Sequence, residues 1–281
     1  MAPVSPSRHL LHKHFGQLTY LERVADTGRI TMFFHGLGLD ATDYQEYLET
    51  HDAHGIAVSL AGYTPGDTGR LPPVSAGRQV EMVAGLIDEI GSENPGKQID
   101  LVGFSLGADL VLQLAERWTA DPRRPRPRIF GAFLLDPNVN HSTMTISRLF
   151  AAADQRDPAP ALKQLLGLAR NHDVRRSLRE YADKISSKDF SQIQQLANDM
   201  IHYWNPAGYE QFGARVARVA DIAKSVSIVL SAEYEEHLVR MRDAVRRKSS
   251  RSDGVVFNIT DLDHFGLIEN DFLSRELKTI G

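Results

Sequence analysis

The stretch Gly103-Phe104-Ser105-Leu106-Gly107 constrains this chain most, because a serine sits between two glycines where one periodicity gives way to another. Before it, residues 98–102 are short, mostly apolar and β-prone; after it, residues 108–118 carry helix formers with apolar side chains at helical spacing. The chain must therefore turn from strand to helix almost at once. Only small neighbours fit around such a turn. The serine at its apex is pushed into a backbone conformation that L-residues seldom take, and its hydroxyl stands clear of the sheet at the start of the helix. The pattern alone is compatible with a plain Gly-Ser turn, so the rest of the chain has to decide.

Two further segments bear on it. Residues 30–34 form another apolar strand that runs into His35-Gly36-Leu37-Gly38. A glycine-rich turn after a strand can aim backbone N–H groups at a developing oxyanion, as acyl transfer requires. Residues 255–259 are strand-like and lead to Asp261-Leu262-Asp263-His264-Phe265, which puts a histidine just past the last strand.

On these three motifs and their order the chain resembles the α/β-hydrolase family from about Phe15 onward. The resemblance implies an α/β fold: a mostly parallel central sheet with helices on both faces and a helical cap inserted after the sixth strand. It implies Ser105 as nucleophile, His264 as general base, and the N–H groups of Leu37 and Leu106 as the oxyanion hole. Gly36 and Phe104 stand beside the elbow as candidates to line the substrate pocket. His35 is a further candidate there, with bracing of the oxyanion turn by a hydrogen bond as its expected task. A serine at the nucleophile position disfavours the dehalogenase and epoxide-hydrolase members, which use aspartate.

A base histidine needs a carboxylate on its other ring nitrogen to fix its tautomer and stabilise the imidazolium. Two places offer one. Residues 129–135 read as the sixth strand and deliver Asp136, followed by Pro137 and Asn138; residues 226–230 read as the seventh and lead to Ser231-Ala232-Glu233-Tyr234-Glu235-Glu236. Asp136 is preferred because it ends an apolar strand, with Glu235 or Glu233 as the alternative acid. The plain readings are an Asp-Pro turn for the first and a helix-start carboxylate for the second. Asp109 and Asp263 are expected to be hydrogen-bonding supports.

The remaining elements complete an alternation of strand and helix. Residues 15–24 suggest an antiparallel pair, 40–50 a helix capped by Asp40 or Thr42, 56–60 a strand, 61–69 a turn-rich loop and 76–90 an amphipathic helix. The proline- and arginine-rich residues 121–128 read as a solvated connector rather than a nucleic-acid patch. From 138 to 205 the pattern is helical without strands, so the core is expected at 1–137 and 206–281 with the cap between. Tyr203 and Trp204 in the cap, with Phe150, either line an apolar pocket or pack the cap onto the core. His9, His12 and His14 lack partners for a metal and suggest a flexible terminus; His51 and His54 suggest a helix end.

Composition narrows the chemistry. The chain has 281 residues, 32 Lys and Arg against 36 Asp and Glu, and no cysteine. A formal charge of -4 recommends neither nucleic acid nor acidic lipid as partner, and the lack of cysteine removes disulfides and thiol nucleophiles. With no apolar leader or long apolar run, a cytoplasmic location without membrane association is expected. The expected function is a serine hydrolase cleaving a small-molecule ester, thioester or lactone through an acyl-enzyme, with no cofactor implied. Acyltransferase, cyclase or lyase chemistry in the same pocket, or a non-catalytic ligand-binding homologue, is the alternative.

Overall fold

A computed structural model describes residues 9–64, 72–121, 127–206 and 208–277. Among them eight strands form one sheet: β1 (Leu11–Phe15), β2 (Leu18–Arg23), β3 (Arg29–Phe34), β4 (His54–Ser59), β5 (Gln98–Phe104), β6 (Ile129–Leu135), β7 (Ser225–Leu230) and β8 (Val255–Ile259). The order across the sheet is β1-β2-β4-β3-β5-β6-β7-β8. β2 pairs antiparallel with both β1 and β4, and every pairing from β4 to β8 is parallel. The central strands are nearly continuous apolar runs, since helices cover both faces of a parallel sheet and each residue meets a core on its own side. Ile30, Met32, Leu101, Val102, Ala132 and Leu134 are fully buried there.

The crossovers are helical. α1 (Gln45–Thr50) follows β3, α2 (Ala76–Glu93) follows β4, and α3 (Leu106–Ala120) leaves β5 directly. Ser75 caps α2, which buries Val80, Val83, Ile87 and Ile90 along one face. α4 (Thr145–Ala151), α5 (Ala159–Leu166), α6 (His172–Ser186) and α7 (Phe190–Tyr203) stand between β6 and α8 (Tyr209–Ile222); α9 (Leu238–Lys248) and α10 (Asn270–Glu276) follow β7 and β8. α7 is tied to the segment before α2: the Gln192 amide exchanges two hydrogen bonds with the Val74 backbone, and Asp199 accepts from Ala76 N–H. Among the described residues no helix is long and apolar enough to cross a membrane.

Several elements depart from the sequence expectation. The antiparallel pair begins earlier than residue 15, turning at Gly16 with φ +58°. β1 is an exposed edge strand without a buried alternation to betray it. It also carries His12 and His14, which are therefore part of the sheet and not of a loose terminus. The helix expected over 40–50 divides into a 3-10 turn at Ala41–Tyr44, capped by Asp40, and then α1. His51 does end α1, but His54 opens β4, buried and hydrogen-bonded to Glu22 and Lys97. Residues 65–69 of the expected loop, 122–126 of the connector and the first eight residues lie outside the described residues.

The strand-to-helix elbow depends on the absence of two side chains. A Cβ on Gly107 would lie 2.6 Å from the Phe34 carbonyl carbon, and one on Gly103 would lie 2.6 Å from the Gly107 carbonyl carbon. Ser105 between them takes φ +51°, and its N–H donates to Leu135 O at 2.8 Å. Gly107→Ala should therefore destabilise the fold by about 3 kcal/mol or more, because the obstructing atoms are backbone and cannot repack. A urea midpoint within experimental error of wild type would contradict this.

Candidate active site

Parallel strands all point their carboxyl ends to one edge of the sheet, and the loops that leave that edge form a crevice. β3 contributes Gly36 and Leu37, β5 contributes Phe104 and Ser105, and the loop after β8 contributes His264; all five line one cavity of about 510 Å³. The segment between β6 and α8 also lines it, with Met144, Ile146, Val174, Leu178 and Tyr181 beside Ser142, Thr143, Thr145 and Ser147. Polar and charged groups, among them Arg170, Glu233, Glu236 and Asp263, also line the cavity.

Asp136 leaves the end of β6 with φ +44°, a conformation that only a few non-glycine residues hold. The turn is fixed by three hydrogen bonds. Its N–H donates to Val229 O at 2.9 Å, its Oδ1 accepts from Ser231 N–H at 2.7 Å, and its Oδ2 accepts from His264 Nδ1 at 2.8 Å. The carboxylate is wholly buried while the imidazole keeps about a quarter of its side chain exposed, 23%. Because Nδ1–H is committed to Asp136, Nε2 of the neutral ring is the acceptor nitrogen. The ring packs against Phe104, centroid to centroid 4.6 Å, and against Phe265 at 5.3 Å.

The glycine-rich turn lies alongside. Leu39 N–H donates to Gly36 O at 3.1 Å and Gly38 has φ +78°, the hydrogen bond and the left-handed third residue of a type II turn. His35 Nδ1–H also donates to Gly36 O, at 2.8 Å, while its Nε2 accepts from Leu60 N–H at 3.0 Å. Burial pushes the His35 pKa down to about 4, so the ring is neutral and this tautomer is the one both bonds require. With the Gly36 carbonyl held on one side of a planar trans peptide, the Leu37 N–H must point to the other. Leu106 is the first residue of α3, so its N–H has no acceptor within the helix.

The other candidate residues are placed as follows. Glu233 lines the cavity but is exposed, and Glu235 is exposed and outside the lining. His35 is buried behind the turn rather than in the pocket wall. Tyr203 and Trp204 do not line the cavity either; Trp204 is fully buried, stacks on Phe212, and with Tyr203 flanks the Arg215 guanidinium. They pack α7 onto α8, which the helical pattern could not distinguish from lining a pocket. Asp263 accepts from Gly266 N–H at 2.8 Å, and Asp109 accepts from Asn138 Nδ2 at 2.5 Å. The Ser231 N–H that completes the Asp136 shell was not anticipated, since a backbone donor leaves no mark in the side-chain sequence. Tyr181 was missed as well, although the buried positions Leu178, Tyr181, Ala182 and Ile185 of α6 follow helical spacing.

The family model described as alpha/beta hydrolase family matches residues 32–275. The chain belongs to the α/β-hydrolase family. A search of curated proteins finds no match. Among solved structures, this α/β hydrolase is similar to an AqdC variant that recognises and cleaves the ring of the Pseudomonas quinolone signal, with TM-score 0.70 and 14% identity over 97% of this chain and 98% of the other. It is similar to a thermophilic esterase from Thermogutta terrifontis, with TM-score 0.64 and 16% identity over 97% and 99% of the two chains. A lipase-esterase related protein from Clostridium acetobutylicum aligns with TM-score 0.56 and 17% identity over 94% and 99%. At these identities the likeness establishes the shared fold.

One buried acid of this α/β hydrolase titrates far from its ordinary range. Burial lifts the Asp109 pKa from 3.8 to about 7, only partly offset by the Asn138 amide. Between those two values the unfolded chain has lost the proton and the folded chain still holds it, so stability falls as pH rises through that window. Asp109→Asn removes the titration while keeping an acceptor for Asn138. The variant should gain stability relative to wild type from pH 5 to 7, at up to about 1.4 kcal/mol per pH unit. A stability difference independent of pH, measured by denaturant unfolding, would contradict this.

Proposed function

We propose that the protein is a serine hydrolase that cleaves a small carboxylic ester, thioester or lactone through an acyl-enzyme. The observation that carries this reading is the 2.8 Å bond between His264 Nδ1 and buried Asp136 in the cavity that Ser105 also lines. A histidine whose Nδ1 is held by a carboxylate presents Nε2 as a base, and the imidazolium that forms on proton uptake is stabilised by the same carboxylate. Ser105 Oγ attacks the acyl carbon and His264 takes its proton. The negative charge moves to the former carbonyl oxygen, which the N–H groups of Leu37 and Leu106 receive. His264 then passes the proton to the leaving oxygen or sulfur, and the acyl group remains on Ser105 until water, deprotonated by the same histidine, releases it.

Residues 138–205 are read as the cap over this site. Its mixed apolar and polar lining and the cavity of about 510 Å³ suit a small acyl group, within the size range of ordinary small-molecule pockets. Asp136 is read as the acid in preference to Glu233 and Glu235, because its two oxygens are each held by a donor and catalytic geometry needs such rigidity.

Turnover of a short-chain p-nitrophenyl ester should fall by about a thousandfold or more in Ser105→Ala and by orders of magnitude in Asp136→Asn. Glu235→Gln should stay within about twofold of wild type. Full activity in Ser105→Ala would defeat the serine mechanism. An active asparagine variant beside a dead glutamine variant would move the acid to the segment after β7.

A further inference from the structure

The turn that carries Leu37 is held from two sides. The core side is the His35 bond to Gly36 O. The other side belongs to the inserted helices: Tyr181 OH, on α6, donates to Leu37 O at 2.6 Å, and Lys188 Nζ, just beyond α6, donates to Gly38 O at 2.7 Å. Both groups are buried, Tyr181 at 3% residual exposure and the Lys188 side chain at 2%. Ile185 closes over the same spot, where a Cβ on Gly38 would come within 2.8 Å of its Cγ1.

Lys188 is the informative member. Burying an ammonium group is costly, and a well-packed apolar residue often stabilises a fold as well or better. Here the charge meets Asp40 Oδ2 at 2.7 Å, and Asp40 Oδ1 caps the next turn by accepting from Thr42 N–H at 2.8 Å. The buried cation thus joins the inserted segment to Gly38 O on one side and to the residue that starts the following helix on the other. A second ion pair, Lys184 with Asp43, lies one turn away.

Leu37 has a peptide plane on either side of its Cα. His35 and Leu39 hold the first through Gly36 O, and Tyr181 holds the second through Leu37 O. The Leu37 N–H belongs to the first plane, so its direction within the turn is set from the core side; Tyr181 and Lys188 hold the next two carbonyls and so fix where the turn as a whole, with the N–H it carries, sits against the site. We propose that Tyr181 and Lys188 are positioning residues for the oxyanion turn, so that docking of the inserted helices and alignment of the Leu37 N–H are a single event. The proposal rests on Leu37 serving as an oxyanion donor.

The test compares wild type with Tyr181→Phe and Lys188→Met, using burst titration with a p-nitrophenyl ester and amide hydrogen exchange over residues 33–44. Complete loss of an oxyanion donor costs about a hundredfold to a thousandfold, so a misaimed one should slow acylation per titrated site by about tenfold to a hundredfold. The substrate dissociation constant read from the acylation phase and the fraction of titratable sites should stay within about twofold, and exchange over residues 33–44 should accelerate. Two results would overturn the proposal: variants with fewer active sites but an unchanged rate per site, which marks a merely structural role, or acylation equal to wild type. If the wild-type protein forms no acyl-enzyme at all, the serine-hydrolase reading falls and takes this one with it. If wild type acylates normally and both variants match it, only the positioning role falls.

Discussion

The close approach of Gly107 to the Phe34 carbonyl is the contact on which the site geometry depends. No side chain fits between the first turn of α3 and the end of β3, so helix and strand are locked at backbone distance. Ser105, one residue before the helix, is then forced into its positive φ and leaves the sheet on the side where the β3 turn begins. The same closeness brings Gly36 against the Phe104 ring and the Ser105 Cβ, at 2.9 Å and 3.4 Å from where its own Cβ would be. The strain at one serine is thus maintained by packing that two neighbouring glycines make possible.

Asp136 extends the same logic across the sheet. Each oxygen of this buried carboxylate has a donor, the Ser231 N–H from the end of β7 and the His264 ring from the loop after β8. That loop is itself tied back to β7 by Thr260 N–H to Leu230 O and by Ala232 N–H to Leu262 O. Three strand ends therefore converge on one side chain. The arrangement explains why a carboxylate after β6 reaches a histidine 128 positions later, whereas the glutamates after β7 stay exposed, Glu233 and Glu236 at the cavity and Glu235 outside it.

Much of this was legible in the sequence because strand ends are. Apolar runs in a parallel sheet fix where β3, β5, β6, β7 and β8 stop, and the residues that follow each stop, Gly36, Ser105, Asp136 and His264 among them, fall on one edge. What was illegible depends on partners distant in sequence. β1 is an exposed edge with no buried face. His54 is drawn into the sheet by Glu22, 32 positions earlier, and no local pattern announces that contact. Tyr203 and Trp204 are aromatic residues at the end of a helix, and whether they face a cavity or a neighbouring helix is decided by Arg215 and Phe212 on α8. Tyr181 and Lys188 are ordinary residues at the end of a polar helix until the fold brings them to the carbonyls of Leu37 and Gly38.

The account's central claim is that the elbow serine becomes covalently acylated. The most direct measurement is peptide mass mapping of protein quenched in acid during turnover of a slowly deacylating ester. The account predicts one acyl adduct, carried by residue 105 and lost when quenching is delayed until substrate is exhausted. Product accumulation with no adduct on Ser105, or with the acyl group on another residue, would contradict it.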